Sequence, residues 1–197
     1  MSLDKGFEVF ANWQTVVFAL GIYLMTYVSR TVIEYFWKGW KLNKLYTDLV
    51  LHLFPIVMGG ERSITYPLVK AYHEVGVISI DAHLDFEVQG DRKFDHACTM
   101  RKVADVVGIE NVVPFGVRSI SKREIGQEMP NYVDAYQIQE AGVVNSWKKV
   151  LNMMRREHVL LSLDMDGIDP GFAPGTSRPE PFGLTGHEVK RCIDMLG

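Results

Sequence analysis

The chain has 197 residues, 47% of them apolar and 23% charged, the balance of a folded protein with a core of ordinary size. A formal net charge of -3 excludes the basic face that nucleic-acid binding needs. Cys98 and Cys192 are the only cysteines and form no CxxC pair, which excludes a disulfide framework or zinc knuckle and fits a reducing, cytoplasmic compartment.

Residues 9–29, VFANWQTVVFALGIYLMTYVS, carry no charge. A helix of that length, rising ~1.5 Å per residue, spans roughly the 30 Å of a bilayer's hydrocarbon core. Trp13 and Tyr27 near its ends, followed by Arg30, Lys38, Lys41 and Lys44, fit a membrane helix with that side in the cytoplasm. Asn12, Gln14, Gly21 and Thr26 dilute the run and fit a buried helix of a soluble protein, so both readings stand. Arg30, Glu34, Lys38, Lys41, Lys44 and Asp48 then recur every three or four residues beside Val32, Ile33, Phe36, Trp37, Trp40 and Leu45. That period predicts an amphipathic helix through about residue 50. Asp4, Lys5 and Glu8 replace the basic start of a secretion signal, and no small-residue cleavage site follows.

The pattern changes at about residue 54, dividing the chain into a helical segment, 1–53, and an α/β domain, 54–197. FPIVM (54–58) predicts a strand, Gly59-Gly60 a turn, and 63–74 a helix. VGVISI (75–80) is the next strand, 96–107 a helix, and NVVPFGV (111–117) another strand. VDAYQI (133–138) is a candidate fourth strand, followed by a helix over 146–157 and the strand HVLLSL (158–163), apolar on both faces. Thr185 to Glu188 forms a capping box that starts a last helix. Continuous apolar strands alternating with helices indicate a parallel sheet covered on both sides.

Two of these strands end in acids. SIDAHLDF (79–86) places Asp81, His83 and Asp85 at alternate positions, and LLSLDMDGIDP (160–170) places Asp164 and Asp166 two apart. Side chains at i and i+2 share a face, and ligands of open parallel sheets collect beyond the carboxyl ends of the strands. Four carboxylates brought to one volume repel each other unless cations neutralise them. Oxygen donors with an imidazole suit manganese better than the thiolate-seeking metals.

GGERS (59–63), DAHLD (81–85), GVRS (116–119), DMDGIDP (164–170) and APGTSRPEPFGLT (173–185) resemble, in order and spacing, the ureohydrolases: arginases, agmatinases and their relatives. The resemblance covers roughly residues 54–197 and implies the three-layer α/β sandwich shared with deacetylases. It implies two manganese ions bridged by Asp81 and Asp164, with Asp85 on one ion and His83 and Asp166 on the other. The implied reaction is hydrolysis of a guanidino compound to urea and an amine, with His96, in FDHAC, moving a proton to the departing amine. Arginases carry Asn where this chain has Glu87, a carboxylate that repels an α-carboxylate and tolerates a cationic tail. HLDF and PEPFGLT resemble the agmatinase branch, so agmatine is the expected substrate and putrescine the amine, with guanidino acids and guanidinobutyrate as alternatives, and a complete domain is expected to assemble as a homo-oligomer.

Two departures stand against that expectation. The family reads GG(D/E)H where this chain has Arg62, and a guanidinium offers no lone pair to a metal. The strands that precede this motif in the family, and the loop whose Glu grips the guanidinium, have no counterpart in the sequence. A non-catalytic remnant of a ureohydrolase, tethered to a membrane through residues 9–29, is therefore the competing reading. A single-zinc deacetylase is disfavoured by the double acidic cluster, and a membrane protein of unrelated function rests on residues 9–50 alone.

Overall fold

The computed structural model describes residues 56–72, 74–88 and 96–196, which belong to one compact unit. The apolar and amphipathic helices expected over residues 9–50 lie outside the described residues. No described helix is long and apolar enough to cross a membrane.

Four strands, β1 (Val75–Ile80), β2 (Val112–Val117), β3 (Val133–Asp134) and β4 (His158–Leu163), form one sheet in the order β3-β2-β1-β4. Every pairing is parallel. All six residues of β1 and of β2 are buried, because helices cover both faces of the sheet and apolar side chains can point either way. Ile78, Ile80, Val113 and Phe115 project to one face and pack under α3 (Ala135–Ala141), α4 (Val143–Met153) and α5 (Gly186–Asp194). Val75, Val77, Val112 and Val117 project to the other, under α1 (Thr65–Ala71) and α2 (Thr99–Val107). Gly116, at φ 91°, accompanies a register irregularity between Phe115 and Val117. The extra step lets Val117 join the layer of Val112 although their spacing is odd.

Local sequence accounts for the helices. Met100, Val103, Ala104 and Val107 recur at helical spacing and form the buried stripe of α2. The Thr185 hydroxyl accepts from the Glu188 N–H at 3.2 Å while Glu188 Oε2 accepts from the Thr185 N–H at 2.8 Å, so the expected capping box starts α5. Burial pushes the Cys192 thiol of α5 up to about 12, and it packs as an apolar group.

Three expectations are corrected. Residues 56–58 of FPIVM form no strand and are exposed. VDAYQI is a strand only at Val133–Asp134, because the Asp134 carboxylate accepts from the Gln137 N–H at 2.7 Å and caps α3. HVLLSL is half-buried rather than enclosed, since among the described residues β4 pairs with β1 alone.

Strand order decides where a ligand can sit. From β1 the chain moves outward through β2 and β3 and then returns to the opposite side of β1 as β4. The direction of winding reverses between β1 and β4, which opens a crevice beyond their carboxyl ends. Both acidic clusters emerge there.

Trp147 is fully buried and meets Phe115 edge-on, with ring centroids 5.0 Å apart and planes at 76°. Trp147→Ala is expected to destabilise the domain by about 3–5 kcal/mol, read as a lower denaturant midpoint.

Candidate metal centre

Beyond Ile80 the chain stays extended. The Asp81 N–H donates to the Phe115 carbonyl at 3.1 Å, and His83 forms a parallel bridge with Ser119. Alternation therefore continues past the strand and keeps Asp81 and His83 on one face. Asp85 ends the run in the left-handed region, φ 51°, which Asp tolerates better than most residues. The turn brings its carbonyl to the start of α2, where it accepts from the Met100 N–H at 3.0 Å.

The end of β4 is held against this segment. The Asp164 N–H donates to the Ile80 carbonyl at 2.9 Å, and Asp164 Oδ1 accepts from the Asp166 N–H at 3.1 Å, closing the 3-10 turn Met165–Gly167. Asp166 Oδ1 accepts from the Ala82 N–H at 3.2 Å, and its Oδ2 lies 3.0 Å from His83 Nδ1. Gly167 permits this approach, since a Cβ there would stand 2.9 Å from the Asp81 nitrogen and 3.0 Å from Ile80 Cγ2.

Asp81, His83 and Asp166 each offer a ligand atom, all within 4.8 Å of one another. Asp81 Oδ1 accepts from the His83 N–H at 2.6 Å and lies 3.5 Å from His83 Nδ1. The hydrogen bond to Asp166 raises the His83 pKa against the opposing effect of burial. At Asp166 burial raises the carboxyl, but His83, the Ala82 N–H and the Arg62 charge outweigh it and hold the group below its usual range. Two carboxylates and one imidazole this close fit one divalent ion with oxygen and nitrogen ligands.

Asp85 and Asp164 converge elsewhere. The Arg62 side chain, 6% exposed, places Nη1 against Asp81 Oδ2, 3.1 Å from Asp85 Oδ2 and 3.6 Å from Asp164 Oδ2. Its Nη2 donates to Ser79 Oγ, and a contact between Thr65 Oγ1 and Ser162 Oγ at 3.3 Å docks the start of α1 over β4. Burial raises the Asp85 carboxyl, opposed by the charges of Arg62, His83 and His96. The five predicted residues thus gather into two groups that share Asp81. A guanidinium fills one of them.

A cavity of about 270 Å3 opens on the site, lined by His83, Asp85, Glu87, Ser119, Arg178 and Glu180 among others. Glu87 is half-buried in this wall, where it accepts from Ser121 Oγ at 2.6 Å and lies 3.3 Å from Arg123 Nη1. His96 stands exposed at the start of the 3-10 turn His96–Cys98, outside the lining of the cavity but near enough to Asp85 to act on its charge.

Comparison with known proteins identifies the family. The arginase family model matches residues 41–197, beginning ahead of GGERS at 59–63. The chain belongs to the arginase family. The agmatinase of Bacillus subtilis is 33% identical over 158 residues, which are 77% of this chain and 53% of that protein. The agmatinase of Pyrococcus horikoshii is 36% identical over 147 residues, 72% of this chain and 49% of that one. Among solved structures, the agmatine ureohydrolase of Thermoplasma volcanium superimposes with a TM-score of 0.68 at 33% identity, covering 77% of this chain and 53% of its own. The chain spans about half the length of the curated relatives it matches.

Two residues of this arginase-family site had no assigned role in the sequence reading. Arg118, from GVRS, donates through Nη2 to the carbonyls of Asp166 at 2.6 Å and Glu180 at 2.8 Å, and through Nε to that of Pro181 at 2.9 Å. It ties the Asp166 turn to the loop that carries Glu180, whose Oε1 lies 3.6 Å from His83 Nε2. The motif was visible in the sequence, but its partners are 48 and 62 residues away.

Gly167→Ala should force the Asp166 turn away from Asp81. The expected outcome is a loss of about 1–3 kcal/mol in thermal unfolding and weaker metal binding in titration. Asp169 holds the same loop by accepting from the Gly171 N–H at 2.8 Å and the Gly183 N–H at 3.1 Å, and these bonds lower its pKa. A depressed folded pKa stabilises the fold above the unfolded value of ~3.9 and loses that contribution as pH falls through the folded value. The stability gap between the native chain and Asp169→Asn should therefore be full near neutrality and close in acid, as measured by denaturation across that range.

Proposed function

We propose that this arginase-family chain hydrolyses a guanidino compound, with agmatine the preferred substrate, to urea and an amine, putrescine in that case, using manganese. The observation that carries the reading is the grouping of Asp81, His83 and Asp166 beside an acidic cavity. Its support is the family match together with agmatinases as relatives on both sequence and structure.

Asp81, His83 and Asp166 would hold a divalent ion, which would supply the Lewis acidity to bring the pKa of a water towards neutrality. The protein's own groups do the rest. Asp85, Glu87, Glu124 and Glu180 outnumber Arg178 in the cavity wall and attract a cationic substrate. Glu87 disfavours a substrate with an α-carboxylate, which favours agmatine over arginine. Arg118 keeps the loop of Glu180 in register with Asp166. His96, at the margin of the site, is our candidate to hand a proton to the departing amine, because an imidazole can carry and release a proton. Two buried cysteines, Cys98 and Cys192, fit action in the reducing cytoplasm.

A second reading, a ureohydrolase-like chain without activity, is favoured by Arg62 among the carboxylates. Urea release separates the two. The manganese-loaded chain should yield urea from agmatine faster than from arginine or guanidinobutyrate, and Asp166→Asn should reduce that rate by about 100-fold or more. No urea from any of the three would establish the inactive reading.

A further inference from the structure

We propose that the Arg62 guanidinium takes the place of one ion of the family's metal pair, so that the chain binds a single divalent ion at Asp81, His83 and Asp166. The inference rests on reading those three residues as ion ligands and goes beyond it by assigning the neighbouring position.

Asp81 carries the argument. Its Oδ1 faces His83, while its Oδ2 faces Arg62. One carboxylate thus stands between the open donor group and a fixed organic cation. Asp85 and Asp164, the two acids outside that donor group, bring Oδ2 to 3.1 and 3.6 Å from the same guanidinium nitrogen. A second ion would need these same oxygens at roughly 2.0–2.2 Å, and the nitrogen lies among them. Arginine cannot turn into a ligand by losing its proton, unlike histidine, and has no lone pair to offer.

Withdrawal of Arg62 is also opposed. The side chain is almost wholly buried and bonded to Ser79 Oγ, on the strand below. Leaving would strip three buried or half-buried carboxylates of their cation. A second divalent ion would also stand next to the Arg62 guanidinium, at a separation where repulsion in a partly buried site is severe.

The test uses the full chain, stripped with chelator, loaded with excess Mn2+ and freed of unbound metal. Mass spectrometry is expected to find about one manganese per chain, and electron paramagnetic resonance the resolved hyperfine pattern of an isolated ion. Arg62→His, which supplies an imidazole and removes the cation, should raise the content towards about two and produce the signal of an exchange-coupled pair. Two ions in the unmutated chain would overturn the inference while leaving the proposed function standing. A folded unmutated chain that holds none would overturn both. A folded Arg62→His that still holds one ion would show that something other than Arg62 excludes the second, and would also overturn it.

Discussion

Mutual repulsion among four carboxylates governs this structure. Asp81, Asp85, Asp164 and Asp166 emerge from the ends of adjacent parallel strands into one crevice, where water is too scarce to screen them fully. Each surrounding feature answers that constraint. Backbone N–H groups of Ala82, His83 and Asp166 donate to the carboxylates, His83 takes a place beside Asp166, and Arg62 enters among the other three. Without cations these carboxyl groups would hold their protons more tightly, because burial and mutual repulsion both disfavour the charged form.

The scaffold tolerates this because its core lies elsewhere. Two apolar layers sandwich β1 and β2, and their burial fixes the strand ends from beneath. The crevice itself is held by polar bonds. Arg118 reaches the Asp166 turn and the Glu180 loop, and Asp169 gathers Gly171 and Gly183. Gly167 and Gly183 allow backbones to approach where any Cβ would collide. A rigid sheet bearing a hydrogen-bonded rim keeps donor atoms within the short distances that an ion requires.

Arg62 gives this member of the arginase family its particular character. A guanidinium offsets part of the charge of Asp81, Asp85 and Asp164 but is no Lewis acid towards water, so it brings none of the chemistry an ion would. Asp81, shared between the donor group and Arg62, couples the two halves of the site. An ion held at Asp81, His83 and Asp166, as proposed, would have a fixed positive neighbour, which would weaken its binding relative to an isolated donor set of the same residues.

Much of the site was legible in the sequence. The period-2 placement of Asp81 and His83 follows from side-chain alternation, which is local, whereas a 3-10 turn rather than alternation places Asp164 and Asp166. The capping box at Thr185 and the stripe of α2 are local in the same sense. That Arg62 cannot ligate a metal follows from its chemistry alone. Local patterning misjudged 56–58, since an apolar run is a strand only where a partner pairs with it, and VDAYQI, where the Asp134 cap overrode β-propensity. Tertiary structure alone decided that β4 returns beside β1, that Asp85 turns through the left-handed region, and that Arg118 bridges two distant loops. It also decided that Arg62 fills the group formed by Asp81, Asp85 and Asp164. A sequence specifies which atoms can donate and accept, but strand order and helix docking set the distances between residues far apart in the chain, and electrostatic interaction depends on distance.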